Sequence, residues 1–182
     1  MRPPTGGHPG GSWGGPEGSG GPEAAGQRHR DEMDSRTPAP VGDLDQGFEY
    51  FDVAADIGVH AWGPDLAACF RQCGLGVFNL IVPLAAVRPE EPREVSAQGD
   101  TPEALLVNWV NELLYLHDVE GFVACDVGRP EIDRNRIHVT LTGEPVDPRR
   151  HPRGTVVKAA TFHHLALDHR PGRVSVRLIV DV

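Results

Sequence analysis

Residues 49–63, EYFDVAADIGVHAWG, alternate like β-strand yet set Asp52 and Asp56 four residues apart among alanines. Alternate side chains of a strand share a face. Asp52, Ala54 and Asp56 are therefore expected on one side, with Val53, Ala55 and Ile57 on the other. The small alanine leaves space beside two carboxylates. A buried carboxylate needs hydrogen bonds, a cation partner or a metal, since an isolated buried charge is strongly unfavourable. A surface-facing acid, or one tying down a turn, are the other readings. The stretch parses as two strands, Phe48 to Asp56 and Ile57 to Trp62, with a kink around the alanines.

Towards the C-terminus, Pro64 suits a first helical position with Asp65 beside it. Leu66, Phe70, Cys73, Val77 and Leu80 follow at helical spacing until Pro83. A strand is expected from about Arg93 to Gln98. Thr101-Pro102-Glu103 opens a second helix with a cap, a proline and an acid. Its core face is Leu105 or Leu106, Trp109 or Val110, Leu113 and Leu116. The last third reads as strands. Phe122 to Gly128 and Ile137 to Glu144 flank a polar turn at 131–135 and form a hairpin; Thr155 to Leu167 and Val174 to Val182 flank a turn at 169–172. Hairpins outnumber any βαβ repetition, which predicts an α+β fold, mainly antiparallel, with two helices packed on one side.

Residues 1–46 differ from the rest. They are rich in Gly and Pro without apolar periodicity, and are expected to be a disordered tail ahead of a domain over 47–182. The net charge of −9 argues against direct strong binding to nucleic acid, which needs clustered Lys and Arg. The three cysteines form no CxxC, and Cys69 and Cys73 share one helical face as small buried hydrophobes. A reducing, cytoplasmic setting fits them. No apolar run is long enough to span a bilayer, and no signal sequence is recognisable.

Two further stretches carry candidate chemistry. In RLIVDV, at 177–182, Val174, Val176, Leu178, Val180 and Val182 share a face and Asp181 falls on the other with Arg177 and Ile179. A buried strand there could bring Asp181 and a main-chain or terminal oxygen beside an acid of the first strand, an oxygen-only set suited to Ca²⁺ or Mg²⁺. In GTVVKAATFHHLAL, at 154–167, Lys158 shares a face with Ala160, Phe162 and His164, and Thr161 with His163. His163 reads as a ligand or proton carrier, or as a hydrogen-bonded strand histidine. GxSxG, Walker, HExxH and dinucleotide-binding patterns are absent from the sequence.

Taken in order, FEYFDVAADIGVHAWG, GTVVKAATFHHLAL and RLIVDV, with QGDTPEALLVNWVNELLYL between them, resemble the archease family over residues 47–182. That resemblance implies a small α+β protein that activates the GTP-dependent RNA ligase of tRNA splicing and RNA repair. It further implies promotion of guanylylation of the ligase's histidine and multiple turnover, without catalysis by the activator itself. The implied cofactor is a divalent cation, calcium foremost with Mg²⁺ or Mn²⁺ as alternatives. Its implied ligands are Asp56, Asp181 and Val182, the last through main-chain or terminal oxygen. Asp52, Lys158, Thr161 and His163 are implied as supporting or partner-facing residues. Val53 and Ala54 stand where the family usually has His and Thr, removing polar groups beside the implied site. Two other readings compete: a metal-dependent phosphoester hydrolase using Asp56 and Asp181, and a chaperone-like interaction module.

Overall fold

In a computed structural model of the chain, the described residues are 39–182. The tail expected over 1–46 lies outside them as far as residue 38. Val41 and Gly42 pair with the strand that follows, and residues 43–46 form the turn between the two. β1 (Val41–Gly42) lies antiparallel to Phe48 and Gly47 of β2 (Gly47–Val53). The intervening turn closes on Asp43, whose carboxylate accepts from the Asp45 and Gln46 amides at 2.9 Å.

The opening stretch is a hairpin. β2 pairs with β3 (Asp56–Gly63) from Gly47↔Trp62 to Val53↔Asp56, so the expected kink is a two-residue turn, Ala54-Ala55. Ala54 adopts φ 47°. Positive φ at the first central residue is the sign pattern of a type II′ turn, where glycine is the unstrained choice. Ala54→Gly should therefore stabilise the fold by about 0.5 kcal/mol, relief of the left-handed backbone outweighing the added entropy of the unfolded chain. Chemical denaturation measures it; a loss of stability would show that Ala54 is unstrained.

Asp65, rather than Pro64, starts the first helix. Its carboxylate accepts from the Ala68 amide at 2.9 Å as N-cap of α1 (Leu66–Ile81), with Pro64 just outside. A 3₁₀ turn at Leu84–Ala86 leads to β4 (Glu91–Gln98). Thr101 caps α2 (Pro102–Glu120), which ends at Gly121 with φ 63°. β5 (Phe122–Val127), β6 (Glu131–Asp133) and β7 (Arg136–Pro145) follow. The expected polar turn at 131–135 is mostly strand, with only Arg134-Asn135 turning the chain into β7. β8 (Ala159–Arg170) starts later and runs further than expected, and Pro171-Gly172 returns it into β9 (Arg173–Asp181).

These strands build two antiparallel sheets. The first has the order β1-β2-β3-β9-β8; in the second β7 lies between β4 and β5, with β6 also on β7. α1 touches β2, β3 and β9 of the first sheet and β5 of the second, while α2 touches β8 and β4, β5 and β7. The helix pair thus covers one side of each sheet. This explains why α1 is buried around its circumference and why Leu105, Leu106, Trp109, Val110, Leu113 and Leu114 of α2 are all buried. A Cβ on Gly74 would stand 2.6 Å from Trp109 Cη2, so the glycine admits the indole between the helices. Asn111 of α2 both donates to and accepts from the main chain of Ala160, occupying the outer edge of β8 there.

Beyond β7 the chain is tied down by a buried carboxylate. Glu144 accepts from the Arg88 amide and forms an ion pair with Arg150, whose other donor reaches the Ala86 carbonyl at 2.9 Å. His151 Nδ1 accepts from the Asp147 amide, and its Nε2 lies 3.1 Å from Glu144 and 2.8 Å from Arg150 Nη2.

Candidate metal centre

The first sheet shows one face to α1 and one to solvent. Tyr50, Val59, Val176 and Leu178 point inward, and the Tyr50 hydroxyl donates to the Gly76 carbonyl of α1 at 2.8 Å. Residues of opposite parity point outward. Val53 pairs with Asp56, Ile57 with Val180, and Asp181 with Ala159. One step beyond Ile57↔Val180 in the same register, Asp56 faces Asp181. Opposed residues of antiparallel strands project to one side with Cβ atoms about 5 Å apart. Val53, Asp56, Asp181 and Ala159 therefore form a row across four strands on the outer face. Asp56 is half-buried at the hairpin end and Asp181 is exposed.

Asp52 does not share this row. The two-residue turn pairs it with Ile57, which places it on the opposite face from Asp56. The expected sharing of a face assumed one strand through the alanines; reversing the chain at Ala54-Ala55 makes Val53 the neighbour of Asp56. Lys158 stands at the other flank. Its amide donates to the Asp181 carbonyl at 2.8 Å and its ammonium to the Val182 main-chain oxygen at 2.9 Å. Thr161 lies opposite Ile179, one pleat along, and its hydroxyl donates to the Ile179 carbonyl at 3.4 Å.

His163 departs from the expected alternation. Pairing of β8 with β9 shifts between Thr161↔Ile179 and Ala166↔Arg177, so residues 162–165 bulge. His164 takes φ 50° and the two histidine rings come within 4.0 Å, where an unbroken strand would point them to opposite faces. His163 contributes its amide to the Thr161 hydroxyl at 3.3 Å. Among the described residues, no three His, Cys, Asp or Glu side chains form a group able to hold a metal. Neither Asp52 nor His163 makes a third side-chain ligand for the Asp56–Asp181 pair.

The donors the pair offers are two carboxylate groups, and the next residue along β9 supplies the Val182 main-chain oxygen, which the Lys158 ammonium holds. That set suits a hard divalent cation, Ca²⁺ or Mg²⁺, rather than zinc, and leaves part of the coordination shell to water or an outside ligand. Cys69 and Cys73 offer no alternative: burial pushes Cys69 up to about 12 and Cys73 higher still.

Two arrangements escape sequence reading. Arg177 lies over the ring of Phe51 at 4.0 Å on the outer face, signalled only by a glycine, Gly58, in the middle of β3. On the second sheet, Ser96 Oγ is 2.8 Å from His138 Nδ1, with Glu94 3.9 Å from the other ring nitrogen. That last separation exceeds a hydrogen bond, and Ser96 and Glu94 stand exposed on the sheet, unlike a preorganised nucleophile.

A helix pair lined by two antiparallel sheets, with an oxygen-donor row at the rim of one, defines a small α+β protein of a recognisable kind. A family model described as the Archease protein family matches residues 48–182. The chain is 33% identical over 140 residues to the protein archease-like of Drosophila melanogaster, covering 74% of this chain and 90% of that one. It is 36% identical over 139 residues to protein archease of Thermococcus kodakarensis, covering 74% and 98%. The solution structure of Methanobacterium thermoautotrophicum protein 1598 matches with a TM-score of 0.63 at 32% identity, over 74% of this chain and 98% of that one. The crystal structure of an archease, possible chaperone, from Thermotoga maritima shares the fold with a TM-score of 0.51 at 18% identity, over 72% and 94%. The chain belongs to the Archease family. No helix among the described residues is long and apolar enough to cross a membrane.

Proposed function

We propose that this chain is a divalent-cation-dependent accessory protein that activates the GTP-dependent RNA ligase of tRNA splicing and RNA repair. It acts by promoting guanylylation of the ligase and repeated turnover, and it is not itself a catalyst. Membership of the Archease family supports the reading, and the observation that carries it is the register opposing Asp56 to Asp181. In this reading Asp56, Asp181 and the Val182 main-chain oxygen hold the cation, calcium foremost. When bound, the cation supplies a fixed positive charge on the rim of the sheet. Lys158 holds its ammonium on the Val182 oxygen and keeps that segment aligned with β8. Thr161 fastens β8 to β9 one pleat away, and the bulge carrying His163 presents the exposed Phe162 to a partner. With a net charge of −9, the chain suits docking on a basic protein surface.

Asp56→Ala and Asp181→Ala should each return ligase guanylylation and turnover to the level seen without activator, with the thermal midpoint of the activator little changed. Full activation by both variants would overturn the cation-centred reading. Hydrolysis of phosphoesters by the purified chain alone, lost in both variants, would establish the hydrolase instead.

A further inference from the structure

A Cβ on Gly58 would stand 2.1 Å from Phe51 Cζ, so the Phe51 ring lies flat across the glycine. Arg177 is in register with His60, one pleat further from the carboxylate row, and its guanidinium carbon is 4.0 Å from the Phe51 centroid. The side chain must therefore lean over β3 towards the Asp56 end of the sheet. That brings the guanidinium roughly one pleat, about 7 Å, from the row holding Asp56 and Asp181. Arg177 is exposed and forms no ion pair or side-chain hydrogen bond among the described residues. Stacking on Phe51 fixes the guanidinium plane while its N–H donors stay open.

Local charge gives this arrangement a direction. Asp56 and Asp181 stand between two cationic side chains, Lys158 and Arg177, with Glu49 further along the same face and engaged by His60. A divalent cation on the carboxylates offsets their charge, leaves Arg177 as an unpaired cation beside it, and keeps coordination positions open to an outside oxygen. We propose that Arg177 and the cation held by Asp56 and Asp181 form a two-point site for a terminal phosphate group. The cation takes one phosphate oxygen, and the guanidinium takes others through parallel hydrogen bonds. This inference rests on the cation reading above. A free nucleotide and the phosphorylated end of a strand both offer that chemistry.

Isothermal titration calorimetry of the full chain tests it, first with Ca²⁺ alone, then with ADP in the presence and absence of Ca²⁺. Expected results are Ca²⁺ binding, ADP binding only to the loaded protein, and at least a tenfold loss of ADP affinity in Arg177→Gln with Ca²⁺ affinity retained. Retained Ca²⁺ binding also certifies the fold of that variant. A 3′-phosphorylated pentaribonucleotide set against its dephosphorylated form separates the two sources. Phosphate-dependent binding tighter than that of ADP assigns the strand end, and weaker binding assigns the nucleotide. Ca²⁺ binding with ADP affinity indifferent to Ca²⁺ or to Arg177→Gln would overturn the phosphate site and leave the cation reading standing. Equal binding of both oligonucleotides would also overturn it. Absence of Ca²⁺ binding to the wild-type chain would remove both.

Discussion

Trp109→Ala will destabilise the domain by about 4 kcal/mol, the scale of a fully buried tryptophan deletion. Trp109 is the largest wholly buried side chain; its indole lies nearly parallel to Phe70 at 6.2 Å and fills the notch left by Gly74. Removing it hollows the layer where α1 meets α2, and neither sheet can close in without parting from the other helix. One feature of the site predicts a graded series. The indole Nε1 is buried without a hydrogen-bond partner among the described residues. Phenylalanine deletes that orphan donor along with part of the bulk, so Trp109→Phe should cost well under half as much. Urea unfolding of the two variants measures the series. Equal losses would show that the indole nitrogen is satisfied by water and that the notch tolerates no smaller ring.

Glu144→Gln should lower stability at pH 7 by about 2 kcal/mol, since it removes the charge from a buried ion pair while keeping the shape. The same variant makes a pH-resolved prediction. Burial on its own pushes the Glu144 carboxyl up, but hydrogen bonds from Arg150, the Arg88 amide and His151 outweigh it and hold the group down at about 2. Because the folded value lies below the ordinary one of 4.5, the carboxylate's contribution is complete above that ordinary value. It fades as pH falls towards the folded one. The gap between wild type and Glu144→Gln should therefore narrow from pH 4.5 downwards and close near pH 2. A gap of constant size across that window would mean that the pair adds no charge-dependent stability. The strap that Arg150 and His151 anchor leads into Lys158, so this cluster also helps set where β8 begins.

How far the fold could be read from the sequence depends on whether the chain signals its turns. Asp65 and Thr101 announce both helices, but a single core face chosen between Leu105 or Leu106 and Trp109 or Val110 understated α2, which buries both members of each pair because it touches both sheets. The parity of β9 was legible too, because its valines alternate without interruption and leave Asp181 outward. The β2–β3 turn was not. Ala54-Ala55 carries none of the Gly, Asn or Asp that normally supplies positive φ, so the alternation reads straight through and assigns Asp52 to the wrong face. The β8 bulge is hidden for a similar reason, since KAATFHHLAL keeps a plausible strand pattern while the pairing slips. Sequence reading thus obtained the parity of Asp181 and missed what flanks Asp56. Val53, not Asp52, is its cross-strand neighbour, so an apolar side chain flanks the carboxylates on that side. Glu144 and His151 gave no signal at all, since buried polar partners depend on a return of the chain that spacing does not reveal.

The placement of β9 between β3 and β8 has a consequence for how this domain is made. The first hairpin forms from neighbouring residues, yet the strand that must join its exposed side is encoded more than a hundred positions later. Such long-range pairing slows folding, because the intervening loop has to close before the contact is rewarded. During synthesis the β2–β3 ribbon waits with an open edge while both helices and the second sheet emerge, a state prone to mispairing. Asp56 meets Asp181 in the same event that closes that edge. A nascent or truncated chain therefore has no partially assembled version of the acidic row, and under the cation reading proposed above, cation capture would report that β9 has joined the first sheet.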